Sequence, residues 1–256
     1  MSREGGQGGI LITGASSGIG AALARNLAEP GRHLFLLGRD RERLAATIQA
    51  CKEKGAAATA IVCDVRDKAA MAEAIGAADD AVPLALVIAN AGIGVVGGRT
   101  AELDRVAEDI FAVNVAGVFH TIHPILPRML ARGRGQICLI ASIAGLYGLA
   151  PAPAYSASKA AVIAYGQGLR GRYADRGVWI SVACPGFVRT PMTAGNRFPM
   201  PFLLDVDEAA RRILRGLARN KPMIGFPWPL YVATRLLACL PAGVADRLMR
   251  SLTRNR

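Results

Sequence analysis

Seven short apolar runs, separated by longer stretches with helical periodicity, constrain the fold of this chain more than any other feature. Continuously apolar strands are typical of a parallel sheet that is covered on both faces, and the helices between them supply the crossovers that parallel strands need. The sequence therefore predicts an α/β fold, a doubly wound, Rossmann-type parallel sheet of about seven strands. The runs are GILIT (9–13), HLFLLG (33–38), TAIVCD (59–64), LALVIAN (84–90), QICLIAS (136–142), WISVACPG (179–186) and MIGFP (223–227).

The stretches between these runs carry helix signals. In residues 39–55, Leu44, Ile48 and Cys51 mark one helical face, and Gly55 stands where the helix should stop. We find no linker long enough to divide the chain and no internal repeat, so 256 residues are expected to form one domain.

The five cysteines show no CxxC spacing, and Cys63, Cys138 and Cys184 lie inside strand-like runs. Reduced, buried thiols are therefore expected rather than disulfides or a metal site. The polar, glycine-rich N-terminus lacks the pattern of a signal peptide, which predicts a cytoplasmic protein.

The formal net charge of +12 raises the question of nucleic-acid binding. The arginines are scattered along helix-like segments and no nucleic-acid motif accompanies them, so we expect no nucleic-acid partner. Anionic ligands or an anionic membrane surface fit the charge better.

A glycine-rich turn, TGASSGIG (13–20), joins the first predicted strand to a helix. Gly14, Gly18 and Gly20 would let the backbone turn sharply and bring amide groups and the helix N-terminus against a pyrophosphate. A glycine triplet alone is a weak signal, but its place at the first strand-to-helix junction indicates a dinucleotide site.

The end of the second strand selects between the two nicotinamide dinucleotides. Gly38 stands where an acidic residue would bind the ribose 2′-hydroxyl, and Arg39 follows it. A neutral residue beside an arginine suits a 2′-phosphate, so NADP(H) is favoured over NAD(H). Asp40, one position further on, leaves NAD(H) open.

Tyr155 and Lys159 stand four residues apart in YSASKAA, and therefore on one helical face. A nearby cation makes a phenol release its proton more readily, which is the requirement for a tyrosine that acts as an acid or base.

Together, these motifs resemble the short-chain dehydrogenase/reductase family over about residues 8–219. The order and spacing of several short motifs carry the resemblance: TGASSGIG (13–20), Asp64 with Val65, NAG (90–92), Asn114 in FAVNVAG, Ser142, Tyr155 with Lys159, and PGFVRT (185–190).

The resemblance implies four catalytic residues. Tyr155 would be the general acid in carbonyl reduction and the base in alcohol oxidation, and Lys159 would tune it and bind the nicotinamide ribose. Ser142 would orient the carbonyl and stabilise its developing charge. Asn114 would interrupt its helix and hold a water that links Lys159 to solvent.

The resemblance also implies the cofactor residues, which include Arg39, Tyr155 and Lys159. Asp64 and Val65 would contact the adenine, Asn90 would brace the site, and PGFVRT would cover the nicotinamide. The full set adds Gly14, Ser16, Ser17, Gly18, Ile19, Gly20, Ala91, Gly92, Pro185, Gly186, Val188 and Thr190.

The substrate should lie beyond the carboxyl ends of strands four to six, where the loops are apolar and aromatic. An apolar carbonyl or alcohol is the expected substrate, although Arg189 and Arg197 could receive an anion. Beside Ser142, the candidate walls are Leu146, Tyr147, Leu149, Phe187, Met192, Phe198 and Phe202.

Residues of about 222–256 form an apolar and basic C-terminal extension that is atypical of the family. Pro227, Pro229 and Pro241 interrupt it, so a bilayer span is not expected. Two uses stay open: an oligomer contact or pocket cover, and a peripheral membrane anchor. The resemblance predicts a homodimer or homotetramer, built partly from the helices at 100–131 and 154–174.

The sequence thus predicts an NADP(H)-dependent enzyme that reduces an apolar ketone, aldehyde or 3-oxoacyl carbonyl, or oxidises the alcohol. A sugar-nucleotide epimerase or dehydratase would carry a larger region after the sixth strand. A non-catalytic cofactor sensor is the other alternative, and the intact Ser142, Tyr155 and Lys159 argue against it.

Overall fold

The computed structural model describes residues 8–94, 103–196 and 199–254. Its centre is one seven-stranded, fully parallel sheet with the order β3-β2-β1-β4-β5-β6-β7, which confirms the predicted fold class. The strands are β1 (Gly9–Thr13), β2 (His33–Gly38), β3 (Ala57–Val62), β4 (Leu84–Ala89), β5 (Gly135–Ile140), β6 (Val178–Pro185) and β7 (Met223–Phe226).

Helices connect the strands and cover both faces of the sheet. Short 3-10 turns occupy Ile143–Gly145 and Ala174–Arg176, and a π-helical segment occupies Ala112–Ala116. The helices are α1 (Gly18–Leu27), α2 (Arg41–Lys52), α3 (Lys68–Ala81), α4 (Leu103–Phe111), α5 (Gly117–Ile122), α6 (Leu126–Arg132), α7 (Pro153–Tyr173), α8 (Val206–Ala218), α9 (Trp228–Ala238) and α10 (Ala242–Arg254).

The hydrophobic core consists of two clusters, one on each side of the sheet. Leu23 of α1, Leu44 of α2 and Ile213 of α8 belong to one cluster. Ile75 of α3 and Val162 of α7 belong to the other. The predicted inner face of α2 is confirmed, since Leu44, Ile48 and Cys51 are all buried.

The order of the strands reverses between β1 and β4, which lie side by side although two strands separate them in the chain. At such a point the crossovers leave the sheet in opposite directions and open a crevice at the carboxyl ends of the strands. The predicted glycine-rich turn follows β1 and therefore lies at this crevice.

Two sequence expectations need correction. Among the described residues the third strand is an edge strand that pairs with β2 alone, so its residues are half-buried or exposed rather than covered on both faces. Cys63, just beyond it, is accordingly half-buried. The long helix expected over 100–131 consists of α4, the π segment, α5 and α6 in succession.

The five cysteines are free thiols, but the expectation that they are buried is confirmed only for Cys51, Cys138 and Cys184, since Cys239 on the C-terminal segment is exposed. The segment Val106–Arg132 is long and apolar enough to cross a membrane by length and composition, but half of that apolar window is buried inside the protein, as in a core helix.

Candidate active site

The glycine-rich turn adopts a conformation that only glycine accepts easily. Gly14 and Gly18 have φ values of +65° and +54°. A Cβ atom on Gly14 would lie 2.8 Å from the Ala91 Cα, and one on Gly20 would lie 2.2 Å from the Gly14 carbonyl oxygen. The absence of these side chains lets the start of α1 pack against β1 and β4.

Thr13 and Asn90 fasten this turn to the end of β4. The Thr13 hydroxyl accepts the backbone N–H groups of Asn90 and Ala91 at 3.0 and 3.1 Å. The Asn90 side-chain amide donates to the carbonyls of Thr13 and Gly14 at 2.9 and 3.2 Å. The side chain of Asn90 thus braces the turn, as expected.

A cleft of about 630 Å³ opens above this junction. It brings together most of the residues that the sequence predicted for the cofactor and for catalysis. These are Gly14, Ser16, Ser17, Gly18, Ile19, Arg39, Asp64, Val65, Asn90, Ala91, Gly92, Ser142, Tyr155, Lys159, Pro185, Gly186, Val188 and Thr190. Gly20 and Asn114 lie behind the wall rather than on it, since the cleft does not include them.

The end of the cleft beside β2 is rich in arginine. Arg39 and Arg43 both line it. Asp40, whose presence left NAD(H) open, is the N-cap of α2: its carboxylate accepts the Arg43 backbone N–H at 3.0 Å and pairs with the Arg43 guanidinium at 3.2 Å. A Cβ on Gly38 would lie 3.4 Å from that of Ser16, so the Ser16 side chain lies directly beside this position.

Asp64 is held as an anion by a residue that sequence reasoning missed. Arg66 donates to the Asp64 carboxylate from its backbone N–H and from two guanidinium nitrogens, at 2.7 to 3.0 Å. The Arg66 hydrogen bonds outweigh burial and lower the pKa of Asp64. Arg39 lies 3.6 Å from the same carboxylate.

Ser142, Tyr155 and Lys159 meet at the other end of the cleft. Ser142 follows β5, and its hydroxyl accepts a hydrogen bond from the Ala144 N–H at 3.1 Å and donates to the Pro185 carbonyl at 3.4 Å. The Lys159 ammonium lies 5.7 Å from the centre of the Tyr155 ring and donates to the Ile140 carbonyl at 2.9 Å. Lys159 is buried, and a Cβ on Gly92 would lie 3.3 Å from its Nζ.

The protonation of this group follows from burial. Burial raises the pKa of Tyr155 and is opposed by the hydrogen bond with Ser142. Burial also lowers the pKa of Lys159 to about 8. Ser142 is the group that lowers the pKa of Tyr155 here, and the expected lowering by Lys159 stays a prediction.

Asn114 lies in the π segment and is fully buried. Its Oδ1 accepts the Ile93 N–H at 2.8 Å, and its Nδ2 donates to the Ile93 carbonyl at 2.9 Å and the Ser158 hydroxyl at 3.0 Å. Ser158 in turn donates to the Tyr155 carbonyl at 2.7 Å. The irregular helix thus ties the loop after β4 to the helix that carries Tyr155 and Lys159.

The predicted substrate walls are only partly brought together. Met192 lines the cleft, whereas Leu146, Tyr147 and Leu149 line a separate, neighbouring hollow of about 480 Å³. Two further predicted residues do not line the cleft: Phe187 is half-buried and Phe202 is exposed. Phe198 and Arg197 lie outside the described residues.

Thr13, Arg66 and Ser158 are the contacts that sequence reasoning did not find. The positions of Thr13 and Ser158, inside the quoted TGASSGIG and YSASKAA stretches, were a usable signal. Arg66 had none, because an arginine two residues after a strand-end aspartate is indistinguishable from a solvated charge.

Comparison with known proteins gives the same picture. Residues 9–199 match the family model of short chain dehydrogenases. An uncharacterized oxidoreductase of Myxococcus xanthus is 38% identical over 244 residues, which is 94% of this chain and 96% of that protein. The granaticin polyketide synthase putative ketoacyl reductase 1 of Streptomyces violaceoruber is 40% identical over 185 residues, 71% of this chain and 68% of its own length.

Solved structures agree with the fold. A short-chain dehydrogenase from Sphingobium yanoikuyae in complex with NADPH superimposes with a TM-score of 0.79 at 29% identity, covering 92% of this chain and 97% of that one. A short chain dehydrogenase/reductase from Burkholderia phymatum in complex with NAD gives a TM-score of 0.81 at 28% identity, with 90% and 93% coverage.

The parallel sheet and these relatives define an oxidoreductase that binds a nicotinamide cofactor. The chain belongs to the short-chain dehydrogenase family.

The residues of the cleft fit a dinucleotide. The turn between β1 and α1 leaves the N-terminus of a ten-residue helix lining the cleft, with no Cβ at Gly14 or Gly18 to obstruct a phosphate. At the other end, Gly92 and Lys159 both line the cleft.

Proposed function

We propose that this protein is an NADP(H)-dependent reductase that converts an apolar ketone, aldehyde or 3-oxoacyl carbonyl to the alcohol. The observation that carries the proposal is the meeting of Ser142, Tyr155 and Lys159 in the same cleft as the glycine-rich turn. A serine or a tyrosine alone would be unremarkable in a fold of this kind. Three groups of the required chemistry in one cleft support a catalytic role.

The residues of the chain would divide the work of reduction. Bound nicotinamide supplies the hydride. The hydroxyl groups of Ser142 and Tyr155 donate hydrogen bonds to the carbonyl oxygen, which stabilise the negative charge that develops there. The raised pKa of Tyr155 keeps its proton on the phenol at neutral pH, so it is available for transfer to that oxygen. The buried Lys159 ammonium stabilises the tyrosinate that is left behind.

The arginines beside β2 support NADP(H) as the cofactor. Arg39 and Arg43 line the cleft at the position that selects between the two dinucleotides, with Ser16 beside them. Asp40 does not oppose a phosphate as strongly as its position suggests, because its carboxylate is engaged by the Arg43 backbone and guanidinium. A 2′-phosphate would therefore meet donors and cations.

Substitution of Arg39 tests this preference. Arg39→Ala should weaken NADPH binding by about tenfold or more, since a hydrogen bond to a charged group contributes about 1.5–3 kcal/mol. NADH binding should change little. Arg41→Ala, at the start of the same helix but outside the cleft, is the matched control. An equal loss for both cofactors would contradict a phosphate-binding role.

The substrate class rests on the relatives and on the cleft. The Streptomyces relative is named as a putative ketoacyl reductase, which favours a 3-oxoacyl carbonyl. Ile93 and Met192 line the cleft and supply apolar surface. An apolar carbonyl therefore fits better than a sugar.

The decisive experiment follows NADPH oxidation by absorbance across a panel of apolar ketones, aldehydes, steroid ketones and 3-oxoacyl thioesters. Tyr155→Phe keeps the ring and removes the hydroxyl, so turnover should fall by about 10²–10⁴ while NADPH still binds. Turnover that survives in this variant would contradict the role of Tyr155. If the wild type bound NADPH but oxidised it with no compound of the panel, the result would favour a cofactor sensor.

We also propose a homodimer or homotetramer, which the family resemblance predicts, with α5 and α7 contributing to its interface. His123 bonds the Tyr165 hydroxyl at 2.9 Å, and Phe119 stacks on His123 and meets Tyr165 edge-on. This aromatic group joins the two helices into one face. Sedimentation of wild type and Tyr165→Ala tests the face, because loss of the group should favour monomers.

A further inference from the structure

The C-terminal helices present an apolar stripe to solvent. Trp228 is 71% exposed and Leu236 is 64% exposed. Exposed apolar residues stand four apart at 228, 232 and 236 in α9 and at 244 and 248 in α10, which keeps them on one side of each helix, and Leu240 lies in the turn between the helices. We define the C-terminal stripe as Trp228, Val232, Leu236, Leu240, Val244 and Leu248, all of them exposed.

The opposite sides of the same helices account for their attachment to the fold. Leu230 and Tyr231 pack against the core cluster. Ala245 of α10 is buried, and the Tyr147 hydroxyl donates to the Asp246 carboxylate at 3.3 Å. The segment is therefore anchored through one side, while Trp228 and Leu236 leave most of their surface to solvent.

Uncompensated positive charge accompanies the stripe. Residues 228–256 contain five arginines and one acidic residue, Asp246. Within the described part of the chain, neither Arg235 nor Arg247 forms an ion pair. In α8, by contrast, three arginines share one glutamate, Glu208.

The apolar stripe and the arginines beside it distinguish between two partners, a second copy of this chain and a lipid surface. In a twofold contact with a second copy, the same basic segments would face each other, and their arginines would repel without an acidic partner. An anionic lipid surface accepts apolar side chains at the level of its headgroups and pairs its phosphates with the arginines.

We propose that the outer side of α9 and α10 binds an anionic lipid membrane surface. Trp228, Val232 and Leu236 enter the headgroup region, and the arginines of the segment contact lipid phosphates. The contact is peripheral. It does not depend on the reaction proposed above, because binding is measured without substrate or cofactor.

Co-sedimentation of the full chain with vesicles tests the proposal. One set contains phosphatidylcholine alone, and the other replaces a quarter of it with phosphatidylglycerol. We expect the bound fraction to be about tenfold higher with the anionic set in about 0.1 M salt, and to fall in about 1 M salt, where charges are screened within about 3 Å. A folded wild type that does not sediment with anionic vesicles would overturn the proposal.

Tryptophan fluorescence locates the contact without disturbing it. The chain has two tryptophans, so Trp179→Phe leaves Trp228 as the reporter. Its emission should shift to shorter wavelength when anionic vesicles are added. An unchanged spectrum in a vesicle-bound protein would place the contact elsewhere and overturn the assignment.

Matched variants separate the apolar and basic contributions. Val232→Ser with Leu236→Ser should abolish sedimentation, whereas Val62→Ser, at an exposed apolar position on β3, should not. Arg247→Gln should weaken binding several-fold, whereas Arg176→Gln, on the loop before β6, should leave it unchanged. Melting temperature and NADPH binding check that each variant is folded. A concentration-dependent dimer that the serine variants disperse, without vesicle binding, would assign the stripe to a second copy and overturn the proposal.

Discussion

Two regions beside the cleft differ in how firmly their side chains are held. The first is the set of polar side chains around Asn90 and Lys159, and the second is the pair of loops beyond β5 and β6. Thr13, Asn90, Asn114 and Lys159 each bond backbone groups of another element, at distances of 2.8 to 3.2 Å. Beyond β6, the side chains of Met192 and Phe202 are both exposed to solvent. In the first region, these hydrogen bonds leave the side chains little conformational freedom. The second leaves apolar side chains whose positions a ligand can still decide.

Ser142 faces the reacting oxygen in the proposed mechanism and lies beside Lys159 of the first region in the cleft, so its substitution should have a larger effect than those of Gly20, Lys159 and Ser181. Ser142→Ala removes one donor from that oxygen and should lower kcat by about 10²–10³, which is about 3 kcal/mol of transition-state stabilisation. NADPH affinity and melting temperature should stay the same. Steady-state turnover and a cofactor titration check this. A rise in KM with kcat unchanged would mean that the hydroxyl binds the ground state and the transition state equally.

Gly20 tests how little freedom the first region has. Gly20→Ala puts a Cβ where the Gly14 carbonyl and the Asn90 amide already stand, at 2.2 and 2.6 Å. The free energy of unfolding should fall by about 2–3 kcal/mol, and NADPH binding should weaken as the turn shifts. Gly171→Ala in α7 is the control: its Cβ would meet nothing within 4 Å, so the helix should gain about 0.5–1 kcal/mol. Equal effects from the two substitutions, read from urea titrations, would show that the turn is not tightly packed.

Lys159 gives this region a distinctive dependence on pH. Burial lowers the pKa of Lys159 from 10.5 to about 8. Between these values the unfolded chain binds a proton that the folded protein has lost, so the contribution of Lys159 to stability rises with pH in this window. From pH 8 to pH 10, wild-type protein should gain about 2 kcal/mol relative to Lys159→Met. The free energies of unfolding come from urea titrations. If the difference between the two proteins did not change across that pH range, the lowered pKa of Lys159 would be contradicted.

The strands were predictable to within two residues because their apolar runs are continuous. β1 and β2 have the predicted bounds. β3 ends at Val62 rather than at Asp64, because its partner β2 ends at Gly38, the residue that pairs with Val62. The apolar pattern of one strand does not specify its register with the neighbouring strand. The sequence therefore does not predict strand ends that this register determines.

Most residues predicted to bind the cofactor line one cleft because they follow strand ends, whose carboxyl termini meet at one edge of a parallel sheet. Several of the predicted substrate walls do not line it. The turn at Ile143–Gly145 packs on α7, where a Cβ on Gly145 would lie 2.5 Å from the Lys159 carbonyl carbon, and this packing directs Leu146 and Leu149 into the neighbouring hollow. Apolar character indicated that these residues line a cavity, but only the packing of the turn decides which one.

The smallest expected effect concerns a buried polar group of the sheet that has no partner. Ser181, in the middle of β6, is fully buried, and among the described residues its hydroxyl is the buried side-chain group without a hydrogen bond. Because an unsatisfied buried hydroxyl is unfavourable, Ser181→Ala should raise the free energy of unfolding by about 1 kcal/mol and leave turnover unchanged. Urea titration beside a turnover assay measures both. A loss of stability would mean that the hydroxyl has a hydrogen-bond partner such as a bound water. Ser181 would then resemble Asn114 and Lys159, whose hydrogen-bond partners are protein groups.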